Sequence, residues 1–185
     1  MTTANKITVF RIILVPVFMA FLLIDNVWCK FTALILFLIA SFSDFLDGYI
    51  ARNYNQISDF GKFMDPLADK MLTTSALLIL AEQGRIYLGS VAIMLVLARE
   101  FMVSGLRMLA GTNGKVIAAS MFGKIKTVSQ MIAIIVSILL LNSLWFPNQS
   151  AAMIISGILI WISTVICVIS GIDYLIKNKN VFSGK

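Results

Sequence analysis

Long apolar runs recur along the whole chain and constrain its fold more than any other feature. Runs of about 20 residues with few charges are long enough to cross roughly 30 Å of hydrocarbon as a helix. Hydrophobic residues make up 59% of the 185 residues, which leaves little sequence for a soluble domain. Six such segments lie at about 6–24, 31–52, 62–82, 86–108, 119–142 and 150–176. The sequence therefore predicts an all-α polytopic membrane protein with six transmembrane helices, in which residues 1–185 form one membrane domain.

The cations are distributed unevenly between the two sides of these segments. If the N-terminus is cytoplasmic, only Lys30 and Arg85 fall on the outer side. The other cations fall at cytoplasmic ends and loops: Lys6, Arg11, Arg52, Lys62, Lys70, Arg99, Arg107, Lys115, Lys124, Lys126, Lys177, Lys179 and Lys185. This asymmetry is a strong positive-inside signal, so both termini are predicted to be cytoplasmic. No soluble basic face with interleaved aromatic residues is visible, so nucleic acid is not an expected partner.

Four aspartates interrupt the apolar pattern near the predicted cytoplasmic boundary. Asp44 and Asp47 are three residues apart, and Asp65 and Asp69 are four apart, so each pair shares one helix face. A short connection makes the second and third segments antiparallel neighbours, so the two pairs should face each other. Two carboxylates about 4 Å apart repel by about 4 kcal/mol even at an effective dielectric of about 20. Two divalent cations would neutralise the four charges, and oxygen ligands without histidine favour Mg²⁺ or Mn²⁺.

The rise of a helix places several charged groups at similar depth in the membrane. At 1.5 Å per residue, Asp44 and Arg99 both lie roughly 20 Å from the outer surface. Asp69 lies roughly 10 Å inward from the cytoplasmic end of its segment. Ionisable groups at such depths normally face a bundle interior or water. We therefore expect a polar cavity that opens to the cytoplasm and contains the active site.

The residues between the aspartates leave room for a ligand. Gly48 and Gly61 remove a side chain where a ligand or another backbone must come close, and Ala51 keeps the same face shallow. Arg52 offers a planar fork of donors that suits phosphate oxygens. Pro66 is tolerated in a first helical turn, so the regular third helix is expected to begin next to it.

Together these residues form the pattern Asp-x2-Asp-Gly-x2-Ala-Arg-x8-Gly-x3-Asp-x3-Asp, which runs from Asp44 to Asp69 without departure. The pattern resembles the signature of the CDP-alcohol phosphotransferase family. Eight fixed positions at exact spacing would arise by chance with a probability on the order of 10⁻⁸. Further stretches resemble the bacterial phosphatidylglycerophosphate synthase branch of that family: Asn5-x2-Thr8-x2-Arg11, Asp65 to Lys70, Ala98-Arg99-Glu100, Leu106-Arg107 and Gly123 to Thr127. The resemblance covers about residues 5–135.

The resemblance implies a set of site residues. The metal ligands would be Asp44, Asp47, Asp65 and Asp69, and Asp69 would be either a ligand or the general base. CDP-diacylglycerol would contact Asn5, Thr8, Arg11, Gly48, Ala51, Arg52 and Gly61. The cations outside the signature are candidates for a phosphorylated acceptor, sn-glycerol 3-phosphate in this branch: Arg99, Arg107, Lys124 and Lys126. Positive-inside topology is the competing explanation for these cations.

The chemistry implied by the resemblance is a direct transfer. The acceptor hydroxyl would attack CDP-diacylglycerol with two Mg²⁺ or Mn²⁺ ions bound, giving phosphatidylglycerol phosphate and CMP. A homodimer in a bacterial cell membrane, in contact with membrane lipids, is also implied. One alternative is the same chemistry with inositol phosphate, serine or phosphatidylglycerol as acceptor. Another is a cation transporter that uses the aspartates as its coordination site.

Overall fold

The computed structural model describes residues 3–53, 59–112, 121–142 and 144–179. Within these ranges, the side chains at 3, 4, 44–53, 59–63, 65, 66, 69 and 112 lie outside the description. The described residues form six helices: α1 Thr3–Leu23, α2 Val27–Asn53, α3 Asp59–Glu82, α4 Gly89–Thr112, α5 Met121–Leu140 and α6 Gln149–Lys177. The predicted number and order of helices are confirmed, and the ends differ from the prediction by only a few residues.

Four of the described helices are long and apolar enough to cross a membrane: Asn5–Leu23 in α1, Gly89–Gly111 in α4, Met121–Leu140 in α5 and Gln149–Lys177 in α6. The remaining two helices carry the four aspartates. Among the described side chains of α2, Val27–Ser43 form an apolar stretch. The length and apolar composition of the four long helices are those of a membrane protein.

The start of α3 differs from the prediction. The helix begins at Asp59, so Pro66 lies inside it rather than in its first turn, and the expected start beside Pro66 is wrong. A proline removes only one backbone donor, and neighbouring helices in a membrane bundle can satisfy the freed carbonyl. The same chain tolerates Pro16 inside α1.

The α3 helix lies against α1, α2, α4 and α5, and α1 packs closely against α2 and α3. The α5 and α6 helices form the other closely packed pair, and α4 joins the two groups by contacting α3 and α6. One apolar cluster contains buried residues of all six helices, including Phe18 and Phe37, whose ring centroids are 5.6 Å apart. Large apolar side chains such as Phe10, Met94 and Ile154 are exposed on the outside, as expected of a surface that contacts lipid.

Two ends of the bundle can be distinguished. We call one the aspartate end: it contains the start of α1, the end of α2, the start of α3, the end of α4, the start of α5 and the end of α6. The opposite end contains the connections after α1, α3 and α5. There, the Gln83 side chain donates to the Leu22 carbonyl over 3.0 Å. The antiparallel relation predicted for α2 and α3 follows from this arrangement.

Candidate active site

The four aspartates lie on two helices that contact each other. Asp44 and Asp47 belong to the C-terminal part of α2, and Asp65 and Asp69 belong to the N-terminal part of α3. The backbone is helical at all four positions, as the predicted sharing of a face within each pair requires. Their side chains lie outside the described residues, as do those of Ala51 and Arg52 in α2. Gly48 in α2 and Gly61 in α3 fall in the same undescribed stretches.

The donor set of these aspartates suits a divalent cation. Among the residues whose side chains are described, no group of three or more His, Cys, Asp or Glu could hold a metal. The four aspartates of α2 and α3 lie outside the side chains to which this statement applies. The two pairs of aspartates, one on α2 and one on α3, provide only oxygen donors. Such donors fit Mg²⁺ or Mn²⁺.

The α1 helix contributes a buried polar face beside the aspartates. The Arg11 side chain is completely buried, and its Nε donates to Ser43 Oγ over 3.2 Å. Ser43 directly precedes Asp44 in α2. Asn5 and Thr8 are also buried, and their spacing of three residues from each other and from Arg11 places them on the same face. The three α1 residues predicted to contact CDP-diacylglycerol thus line the interior and not the lipid surface.

A partly buried ionic cluster lies where α3, α4 and α5 meet. Glu100 Oε1 accepts hydrogen bonds from Arg99 Nη1 over 3.1 Å and from Lys126 Nζ over 2.5 Å. Lys70 Nζ donates to Ser104 Oγ and to the Glu100 carbonyl, the latter over 3.4 Å. We call these four residues, Lys70, Arg99, Glu100 and Lys126, the Glu100 cluster. Three cations surround one carboxylate, so the cluster has a surplus of positive charge.

The Arg99 side chain is positioned by α6. Its Nη2 donates to Ser170 Oγ over 2.9 Å. The next residue, Gly171, is buried, and a Cβ built there would lie only 2.8 Å from Arg99 Cγ. Glycine at this position therefore allows the arginine to lie against α6.

The Glu100 cluster is at the same level of the bundle as the aspartates. Lys70 directly follows Asp69 in α3. Ser41 Oγ lies 3.9 Å from Met131 Sδ, which brings α2 next to α5. From this contact, Asp44 lies about 4.5 Å and Lys126 about 7.5 Å further toward the aspartate end, at 1.5 Å per residue. The helical positions of Asp44 and Lys126 therefore lie at similar levels of the bundle.

The other two predicted acceptor cations lie apart from this cluster. Arg107 Nε donates to Tyr174 Oη over 3.2 Å, and the guanidinium lies 5.6 Å from the centre of the tyrosine ring. Lys124 is exposed on α5. The structure thus brings Arg99 and Lys126 together, whereas Arg107 packs between α4 and α6.

The sequence interpretation did not include four residues that the structure adds to this region. Glu100 and Ser170 accept hydrogen bonds from the predicted cations, and Lys70 donates to Ser104 and to the Glu100 carbonyl. Gln130 is 2% exposed, and neither polar atom of its amide has a hydrogen-bond partner among the described residues. Its spacing of four from Lys126 places the two on one face of α5, and this spacing was the signal available in the sequence.

Comparison with known proteins identifies a family. Residues 1–169 match the family model described as CDP-alcohol phosphatidyltransferase. A protein of Bacillus subtilis is 40% identical, covering 94% of this chain and 93% of its own length. A Rickettsia felis protein is 36% identical over 96% of each chain, and an Escherichia coli K12 protein is 36% identical over 77% of this chain and 76% of its own. All three are named CDP-diacylglycerol–glycerol-3-phosphate 3-phosphatidyltransferase.

Proposed function

The chain belongs to the CDP-alcohol phosphatidyltransferase family, and we propose that it transfers the phosphatidyl group of CDP-diacylglycerol to sn-glycerol 3-phosphate. The products are phosphatidylglycerol phosphate and CMP. The reaction named for the three relatives is the same one. The structural observation that carries the proposal is the Glu100 cluster, because it provides three partly buried or buried cations for one carboxylate beside the aspartate helices.

Each group of residues has a role in this reaction. Asp44, Asp47, Asp65 and Asp69 would hold two divalent cations, which supply charge neutralisation at the pyrophosphate and the leaving group. The acceptor hydroxyl oxygen attacks the phosphatidyl phosphorus, and the bond from that phosphorus to the CMP oxygen breaks. Asp69 takes the hydroxyl proton or completes the ligand set. Positioning and electrostatics account for most of the catalysis, and no covalent enzyme intermediate is required.

The CDP-diacylglycerol site is formed by α1, α2 and α3. The residues assigned to it are Asn5, Thr8, Arg11, Gly48, Ala51, Arg52 and Gly61. The buried face of α1 supports this assignment, because Arg11 lies against Ser43, next to the first aspartate. A fully buried guanidinium at this position is a suitable partner for an anionic phosphoryl oxygen.

The acceptor phosphate is assigned to the cations of α4 and α5, namely Arg99, Arg107, Lys124 and Lys126. Within the Glu100 cluster, the carboxylate holds Arg99 and Lys126 together, and the remaining positive charge is available for the phosphate. An acceptor that carries only hydroxyl groups would leave this surplus charge without an anion. The cluster therefore favours a phosphorylated acceptor.

We also propose how the protein is arranged in the membrane. All six helices cross the bilayer of a bacterial cell, residues 1–185 form a single domain, and the aspartate end opens as a polar cavity to the cytoplasm. The positive-inside distribution of the cations supports this orientation. The protein is a homodimer in contact with membrane lipids.

The acceptor is tested by measuring CMP release from the purified protein with CDP-diacylglycerol and either Mg²⁺ or Mn²⁺. The candidate acceptors are sn-glycerol 3-phosphate, inositol phosphate, serine and phosphatidylglycerol. We expect CMP release with sn-glycerol 3-phosphate and none after a chelator removes the metal. Release that requires inositol phosphate instead would overturn the proposed acceptor, and release with no acceptor specificity would overturn the role of the Glu100 cluster.

A further inference from the structure

An apolar groove lies on α6 at the end of the bundle opposite the aspartates. Its volume is about 740 Å³, and it is lined by α6 residues from Met153 to Ile166 and by residues of the connection between α3 and α4. These α6 residues span roughly 20 Å at 1.5 Å per residue. One leaflet contributes roughly 15 Å of the hydrocarbon thickness. The groove is therefore long enough to span the acyl region of one leaflet.

Arg85 places a cation at the head of this groove. Its Nη2 donates to Gln149 Oε1 over 2.7 Å, whereas its Nε and Nη1 are buried without a hydrogen-bond partner among the described residues. Burial lowers the pKa of Arg85 below its usual value. The negative charge of Asp25 interacts electrostatically with the Arg85 guanidinium. The Asp25 carboxylate is exposed, however, and forms an ion pair with Lys30. A partly desolvated guanidinium of this kind is stabilised by an anion.

The wall of the groove is held by specific contacts. The indole Nε1 of Trp161 donates to the Tyr87 carbonyl over 2.8 Å, which ties the connection between α3 and α4 to α6. Gly84 has a φ of +71°, a backbone conformation that favours glycine. A Cβ at Gly157 would lie 3.5 Å from the Arg85 carbonyl, so the connection passes close to the helix. These contacts form the groove before any ligand arrives.

We propose that this groove binds an anionic diacyl phospholipid of the bilayer, with its phosphate at Arg85 and one acyl chain along α6. The charge of Arg85 complements the phosphate, and the apolar wall and its length complement the chain. The groove is separate from the candidate active site, because Arg85 contacts α6 at Gln149 whereas Arg99 contacts it at Ser170. The proposal therefore does not depend on the reaction assigned above.

The lipid can be detected by the fluorescence of Trp161, which lines the groove. Replacing the other two tryptophans by Trp28→Phe and Trp145→Phe leaves Trp161 as the reporter in the full chain. This protein is reconstituted in phosphatidylcholine vesicles that contain increasing fractions of either brominated phosphatidylglycerol or brominated phosphatidylcholine. Half-maximal quenching should require an about fivefold lower fraction of brominated phosphatidylglycerol than of brominated phosphatidylcholine. This ratio corresponds to about 1 kcal/mol for one basic residue near the surface.

Two variants in this background test the role of the charge. Arg85→Gln should remove the preference for the anionic lipid, while quenching by brominated phosphatidylcholine and CMP release stay unchanged. The matched control is Lys30→Gln, which removes a cation from the same end but from outside the groove, and it should keep the preference. Equal quenching by the two lipids in the parent protein, or a preference that survives Arg85→Gln, would overturn the proposal. Absence of quenching by either lipid would also overturn it, since a second copy of the chain would then cover the groove.

Discussion

At the level of single residues, Glu100 has the strongest effect on the candidate site. Its carboxylate accepts from Arg99 and Lys126, and Lys70 contacts its backbone carbonyl. Without this carboxylate, three cations would lie close together in a mostly buried region. The arrangement explains how several positive charges can lie together in the absence of a bound anion.

We expect Glu100→Gln to destabilise the protein. Removing one partner of a buried ion pair leaves uncompensated charge, so the free energy of unfolding should fall by about 3 kcal/mol. The measurement is equilibrium unfolding in detergent micelles. Asp173→Asn is the control, because it breaks the exposed pair between Asp173 and Lys177 and should cost less than about 1 kcal/mol. Equal effects of the two substitutions would show that Arg99 and Lys126 do not need the Glu100 carboxylate.

At the level of helices, the close approach of α4 to α6 positions Arg99. The guanidinium reaches Ser170, and Gly171 leaves space for the methylene groups of the arginine. Binding of the acceptor phosphate by Arg99 would therefore depend on a residue of α6, although α6 itself carries none of the assigned site residues.

Gly171→Ala should weaken binding of the acceptor. The new Cβ would lie 2.8 Å from Arg99 Cγ and 3.2 Å from Met102 Cε, so Arg99 must move away from Ser170. We expect the KM for sn-glycerol 3-phosphate to rise about tenfold, the effect of losing one hydrogen bond to a charged group. The KM for CDP-diacylglycerol should stay the same.

Gly105→Ala in α4 is the matched control for this prediction. A Cβ at Gly105 would meet nothing within 4 Å, so this variant should keep both KM values. A rise of the KM for CDP-diacylglycerol in Gly171→Ala, or an equal response of Gly105→Ala, would contradict the assignment of Arg99 to the acceptor.

The helices were more predictable from the sequence than the contacts between them. Runs of apolar residues define helix length directly, so the six segments agree with α1 to α6. The start of α3 was predicted incorrectly. The prediction assumed that a proline lies in the first turn of its helix, which holds for isolated helices but not inside a packed bundle. The pairing of Glu100 with Lys126 depends on how α4 and α5 are rotated about their axes. No local pattern in the sequence specifies that rotation.

At the level of the whole molecule, two regions of an apolar bundle combine charged groups with a candidate binding surface. The aspartate end combines four acidic positions on α2 and α3 with the surplus cations of the Glu100 cluster. The opposite end has Arg85 at the head of an apolar groove. The similar levels of Asp44 and Lys126 could be obtained by counting residues along the helices, because the rise per residue is nearly constant. The groove was not predicted, because a lipid-facing groove has the same composition as ordinary helix surface.

The central claim is that aspartates on α2 and α3 bind the metal that the phosphatidyl transfer requires. The most direct measurement is CMP release by Asp47→Asn, which keeps the size of the side chain and removes its charge. With CDP-diacylglycerol, sn-glycerol 3-phosphate and Mg²⁺ or Mn²⁺, we expect no release, although circular dichroism and elution volume stay those of the parent protein. Asp173→Asn, the same chemical change near the end of α6, should keep the parental rate. Normal CMP release by Asp47→Asn would contradict the account.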